Sequence, residues 1–94
     1  MSGFTFASRA SIPDDVMVRE LGGESMLLNL SNSQYYGLDA VGADMWQALT
    51  TAGSLQDAYE RLLAEYDVTP ETLRQDLEQL VEKLAAQGLI RLEG

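Results

Sequence analysis

Histidine and cysteine are both absent from this chain of 94 residues. Without imidazole or thiolate the usual zinc, copper and haem ligands are missing, and so are disulfides and the Ser-His-Asp and Cys-His nucleophiles. An enzyme would have to work with carboxylates, tyrosines, arginines and the lone lysine, Lys83. Its acidic residues are spread along solvated faces rather than gathered in an apolar pocket, so the roles an active site needs are unfilled. The expectation is a protein that is not an enzyme, with no catalytic residue, no cofactor and no metal.

Positive charge is also scarce: six Lys and Arg stand against 15 Asp and Glu, a net charge of -9. Nucleic-acid binding draws most of its affinity from cations that neutralise phosphates, and the six here occur singly, so neither a nucleic-acid partner nor an anionic membrane surface is expected. No apolar run reaches the roughly 18 residues that cross a bilayer, and the first ten residues lack the pattern of a signal peptide. A cytoplasmic protein is the default. An apolar share of 46% is ordinary for a folded chain, and this length suits one domain, residues 1–94 with a core at about 16–90.

The first part of the chain reads as strands. Phe4-Thr5-Phe6 alternates apolar and polar residues, and Pro13-Asp14-Asp15 breaks the run with a turn. Residues 16–21 form the next strand, and Gly22-Gly23 has the freedom that a two-residue primed hairpin needs, so residues 26–30 return antiparallel. That loop length puts Val18 opposite Leu27 and Arg19 opposite Met26. Ser31-Asn32-Ser33 supplies a second turn before Gln34-Tyr35-Tyr36-Gly37-Leu38, where adjacent tyrosines must point to opposite faces, one towards the core. From Asp39 the period changes to about 3.6. Asp39, Ser54 and Thr69 are N-cap residues for helices at about 41–51, 55–66 and 70–87, and Gly53 ends the first. Val41, Met45, Ala48 and Leu49, with Trp46 close by, form the core face of the first helix. Leu55, Ala58, Tyr59, Leu62, Leu63 and Tyr66 form that of the second, and Leu73, Leu77, Leu80, Val81 and Leu84 that of the third. Gly88 suits a left-handed C-cap, with Leu89 folding back, and Ile90-Arg91-Leu92 adds a short strand. The fold class is therefore α+β: an N-terminal antiparallel sheet of three to four strands, then three helices, in a winged-helix-like order.

The stretch Leu27-Leu28-Asn29-Leu30, then Gln34-Tyr35-Tyr36-Gly37-Leu38-Asp39-Ala40-Val41-Gly42 and Trp46, with Asp76-Leu77 through Leu84 to Gly88-Leu89-Ile90, resembles the PqqD-like family. These are the recognition elements (RiPP recognition elements) of ribosomally made, modified peptides, including the lasso-peptide B1-like type. The resemblance covers about residues 16–90. Asp39 stands where the family often has Asn, which keeps the N-cap.

The resemblance implies a peptide-modification chaperone: the leader of a precursor peptide adds as a strand beside the third strand of the sheet, in a groove bordered by the third helix. Strand addition would be the physical basis, because an open edge offers a ladder of backbone hydrogen bonds. On this sequence the peptide-binding candidates are Ser33, Gln34, Tyr35, Tyr36, Gly37 and Leu38 along the edge. On one shoulder of the third helix they are Asp76, Gln79, Leu80, Lys83 and Gln87. Asp76 would meet a basic leader residue and Lys83 an acidic one, while Leu80 with Tyr35 or Tyr36 would line an apolar pocket. The implied partners are the leader peptide and a modifying enzyme or leader peptidase, of radical-SAM or cysteine-protease-like type, with a lasso-type pathway preferred. Two other readings stand beside this one. A winged-helix transcription regulator fits the element order but not the charge, and a regulatory subunit could self-associate into a homodimer through the sheet edge.

Overall fold

The structure, a computed structural model, describes residues 5–93. In chain order the elements are β1 (Arg9–Ser11), β2 (Val16–Leu21), β3 (Glu24–Asn29), β4 (Gln34–Leu38), α1 (Ala40–Thr51), α2 (Leu55–Glu65), α3 (Pro70–Ala86) and β5 (Arg91–Glu93). Antiparallel strands followed by three helices make the α+β fold that the periodicities predict.

Local chemistry fixes the sheet. Gly22 and Gly23 take φ values of 60° and 87°, the left-handed pair that a primed hairpin turn requires. The register follows: Val18 lies opposite Leu27 and Arg19 opposite Met26. At the second turn Ser33 has φ 59°, and the Asn32 side chain accepts from the Gln34 amide at 2.9 Å. The resulting order is β2-β3-β4. β3 begins two residues earlier than the predicted strand and ends at Asn29, leaving Leu30 exposed in the turn.

The helices are capped as expected. The side chains of Asp39, Ser54 and Thr69 accept from the amides of Gly42, Asp57 and Thr72. At the end of α3, Gly88 has φ 71°, and the amides of Leu89 and Gly88 donate to the carbonyls of Leu84 and Ala85 at 2.9 and 3.1 Å, a Schellman motif. α1 lies across β3 and β4, and Leu27, Leu49, Leu55, Leu62, Leu77, Leu84 and Leu89 are fully buried between the layers. No helix of the described residues is long and apolar enough to cross a membrane.

Four expectations need correction. Phe4 lies outside the described residues, and Thr5 and Phe6 are not in a strand. The carbonyls of Phe6 and Ser8 instead accept from the amides of Gln56 and Leu55, each at 2.8 Å, satisfying first-turn donors that a helix cannot satisfy itself. The Phe6 ring meets Tyr59 edge-on with centroids 5.9 Å apart, and the Arg74 guanidinium lies 4.1 Å from its centre. This aromatic therefore anchors the N-terminal segment to the helices, not to the sheet. The N-terminal strand is β1, and it pairs antiparallel with β5 in a separate two-stranded ribbon, so the main sheet has three strands. Val41 is exposed, because the first turn of α1 faces Leu38 with Gly42, where an added Cβ would lie 3.3 Å from the Leu38 side chain. Gly53 does not end α1; Ala52 is its C-cap.

Candidate functional site

β4 is the last strand of its sheet, so among the described residues one side of its backbone has no strand partner, and such an edge accepts a further strand. Gln34, Tyr36 and Leu38 stand opposite the buried Asn29, Leu27 and Ser25, on the helix-covered face. Tyr35 and Gly37 stand opposite Leu28 and Met26 on the other face. Tyr36 is half-buried against the core, whereas Tyr35 is 70% exposed. Gly37 has open space where a Cβ would sit, leaving a notch beside Tyr35. Ser33 opens the edge with its left-handed backbone.

The helix end is tied to this strand by a residue that the sequence reading did not single out for a role. Asn29, paired with Gln34, is buried. Its side-chain amide donates to the carbonyls of Gln87 and Gly88, both at 3.2 Å, and its oxygen accepts from the Ser31 amide at 3.0 Å. One side chain thus joins the sheet, the turn into β4 and the C-terminus of α3. Gly88 makes this approach possible, since a Cβ there would lie 2.9 Å from the Asn29 amide nitrogen.

Along α3, Leu73, Leu77, Val81 and Leu84 are buried. Leu80 is half-buried against the core, while Asp76, Gln79, Lys83 and Gln87 are exposed. Their spacing of i, i+3, i+4, i+7 and i+11 makes these five a single ridge. Among the described residues Arg74 pairs with Glu78 at 3.3 Å, and neither Asp76 nor Lys83 has an ion-pair partner. Of the predicted site residues, the structure brings Gln87 to the start of β4 through Asn29. Tyr35 faces away from the helices, so of the two tyrosines only Tyr36 shares a side of the sheet with Leu80. Among the described residues, two cavities beside the sheet are lined without α3. One of about 230 Å³ lies at the end of β4, beside Gly37, Leu38 and Met26. Another of about 440 Å³ lies on the outer face of the sheet and includes Tyr35.

These features define a winged-helix-like α+β domain in which β4, among the described residues, is an unpaired edge of the sheet and the end of a helix is fastened beside it. The family model described as Coenzyme PQQ synthesis protein D (PqqD) matches residues 24–90, and the chain belongs to that family. A similar solved structure is that of TbiB1 in complex with the TbiA(beta) leader peptide. It is 32% identical, with 86% of this chain and 94% of that one covered and a TM-score of 0.80. A second, a lasso peptide synthetase B1 complexed with the leader peptide, shares the fold at 23% identity, with 88% of this chain and 98% of that one covered and a TM-score of 0.78. No curated protein matches the chain.

Proposed function

We propose that this chain is a non-catalytic recognition domain, acting in the cytoplasm, that binds the leader of a ribosomally synthesised precursor peptide and delivers it to a maturation enzyme. The leader adds as a strand along Ser33, Gln34, Tyr35, Tyr36, Gly37 and Leu38, and the ridge of Asp76, Gln79, Leu80, Lys83 and Gln87 borders it. One observation carries this reading: β4 is an open edge in a chain 32% identical to a protein solved with a leader peptide bound. The backbone ladder supplies sequence-tolerant affinity, and the flanking side chains supply selection. Asp76 and Lys83 offer opposite charges 7 positions apart, about two helical turns, so they select a leader segment with a basic and an acidic residue about 10 Å apart.

The partner enzyme is a leader peptidase or a radical-SAM enzyme, and a lasso-type pathway with a cysteine-protease-like peptidase is the version to test. The test is titration with the leader peptides of any precursors encoded in this protein's own gene neighbourhood, followed by Trp46 fluorescence and backbone amide shifts. Trp46 is buried in α1, the helix that lies across β3 and β4, so it reports movement between the layers. Saturable binding is expected, with shifts concentrated at residues 33–38 and 76–87. No binding at high peptide concentration would sink the proposal.

A further inference from the structure

A polar cavity of about 150 Å³ opens between the β2-β3 hairpin and α1, lined by Glu20, Glu24 and Ser25 on one side and by Ala43, Asp44 and Gln47 on the other. Glu20 stands opposite Ser25, and both belong to the helix-covered face of the sheet, at the end remote from Asn29. Ser25 is buried, with 7% of its surface exposed. Among the described residues no buried side-chain polar atom is left without a partner, yet the Ser25 hydroxyl bonds to none of them, so its oxygen opens into the cavity that it lines. A hydroxyl held this deep destabilises the fold unless something in the cavity satisfies it.

Charge decides what that something is. Oδ2 of Asp44 accepts from the Tyr66 hydroxyl, which steadies the carboxylate and leaves Oδ1 without a bond among the described residues. Glu20, Glu24 and Asp44 also have no ion-pair partner there, since Arg9, Arg61 and Arg74 are matched with Glu93, Glu65 and Glu78. The cavity therefore gathers negative charge that the chain does not neutralise. A metal ion is a poor match: among the described residues no three acidic side chains come close enough to hold one, and a hard cation such as calcium takes about six or more oxygens. An ammonium or a guanidinium fits better, because its several N–H donors can be shared among Glu20, Asp44, the Gln47 amide oxygen and the Ser25 hydroxyl.

We propose that this cavity is a binding site for a basic side chain, the ammonium of a lysine or the guanidinium of an arginine, presented by a polypeptide other than the leader. Ser25 receives the tip of that side chain, Glu20 and Asp44 supply the charge, and Tyr66 is a positioning residue that acts through Asp44. Gly23 keeps the mouth open, since nothing lies within 4 Å of where its Cβ would be. No residue of β4 or α3 lines the cavity, and β3 separates β2 from the β4 edge, so a strand added at that edge leaves the site free. The inference does not rest on the leader-binding reading. A net charge of -9 steers a basic partner towards the chain as a whole, and the cavity gives one of its cations a defined seat.

The experiment titrates the intact, isotope-labelled chain with N-acetyl-arginine amide and N-acetyl-lysine amide at constant ionic strength, with N-acetyl-norleucine amide and calcium chloride as comparisons. Amide shifts at residues 20–25 and 43–47 should saturate below about 100 mM with a basic probe and stay flat with norleucine. Glu20→Gln/Asp44→Asn should weaken the basic probe about tenfold or more, because two charge-assisted hydrogen bonds are lost, and Ser25→Ala about threefold. Glu71→Gln/Glu82→Gln removes as much charge from exposed positions of α3 and should change affinity by less than about twofold, since charges that far off are screened. The amide spectrum of each variant reports its fold, and the positions of both double variants are exposed. The basic probe should also stay bound when leader peptides from the chain's own gene neighbourhood are added. No saturation with either basic probe would overturn the site, as would equal weakening by the two double variants. Tighter binding of calcium at the same residues would overturn it in favour of a metal, and displacement of the probe by leader would overturn the assignment to a second polypeptide.

Discussion

Neighbouring residues of β3 live in different media. Leu27 is wholly buried, whereas Met26 beside it is 42% exposed, because successive side chains of a strand point to opposite faces. The helix-covered face accounts for the stability of the sheet. The outer face is as apolar in composition, with Met17, Leu21, Met26, Leu28 and Tyr35, yet nothing in the chain covers it among the described residues. A one-sided sheet ordinarily turns polar residues to water. The difference between the two faces therefore separates side chains that fold the protein from side chains kept for something else.

The largest effect should come from breaking the inner face. Leu27→Ala leaves a cavity at the centre of the core and should cost about 2–5 kcal/mol. Met26→Ala, one residue away, should change stability by no more than about 0.5 kcal/mol. Urea denaturation of the two variants checks both values. Equal losses would mean that the outer face is packed in the folded chain, and the contrast would disappear.

A smaller loss is expected where the inner face meets the end of α3. Asn29→Ala removes the donor to Gln87 and Gly88 and the acceptor for Ser31, which should cost about 1–3 kcal/mol at this buried position. Gly88→Ala forces a side chain into a left-handed backbone and against the Asn29 amide, at roughly 1–2 kcal/mol. Because both act through one contact, the double variant should lose less than the sum. Strict additivity would show that Asn29 does not clamp the helix to the sheet.

How far the sequence reveals these features depends on whether their causes are local. The Gly22-Gly23 hairpin, its register, and the caps at Asp39, Ser54, Thr69 and Gly88 are legible because each is settled within a few residues. Phe6 misleads because its alternating neighbourhood resembles a strand while its partners, Tyr59 and Arg74, lie in α2 and α3. Asn29 reads as an ordinary strand residue, since its bond to Gln87 spans 58 positions and no local pattern announces it. At the candidate site, consecutive hairpins make β4 an edge, and alternation requires one outward tyrosine. Which tyrosine it is follows only from the face the helices cover. The shoulder of α3 can be drawn from helical geometry, but its attachment beside β4 needs the Asn29 contact. The outer patch is least legible, because Met17, Met26 and Leu28 look like core residues until a three-stranded sheet leaves them without a second layer.

The smallest expected effect lies on the solvent side of the helical layer and serves as a control for both sheet faces. The Tyr66 hydroxyl, at the C-cap of α2, donates to the Asp44 carboxylate of α1. That hydrogen bond, reinforced by burial and by the charges of Asp44 and Glu65, pushes the Tyr66 pKa from 10.0 up to about 12. A group whose folded pKa is raised contributes its stabilisation fully below its unfolded pKa and loses it as pH climbs through the folded value. The contact should therefore hold below pH 10 and fade between pH 10 and about pH 12, by an amount small for so accessible a pair. In Asp44→Asn the hydroxyl should ionise closer to its ordinary value, visible by ultraviolet titration as a downward shift in one of the four tyrosines. In Tyr66→Phe the corresponding part of the alkaline stability loss should vanish. An unchanged titration in Asp44→Asn would show that Tyr66 and Asp44 are not joined in solution, and would leave packing and the hydrogen bond from Arg61 to the Thr51 hydroxyl to hold α2 against α1.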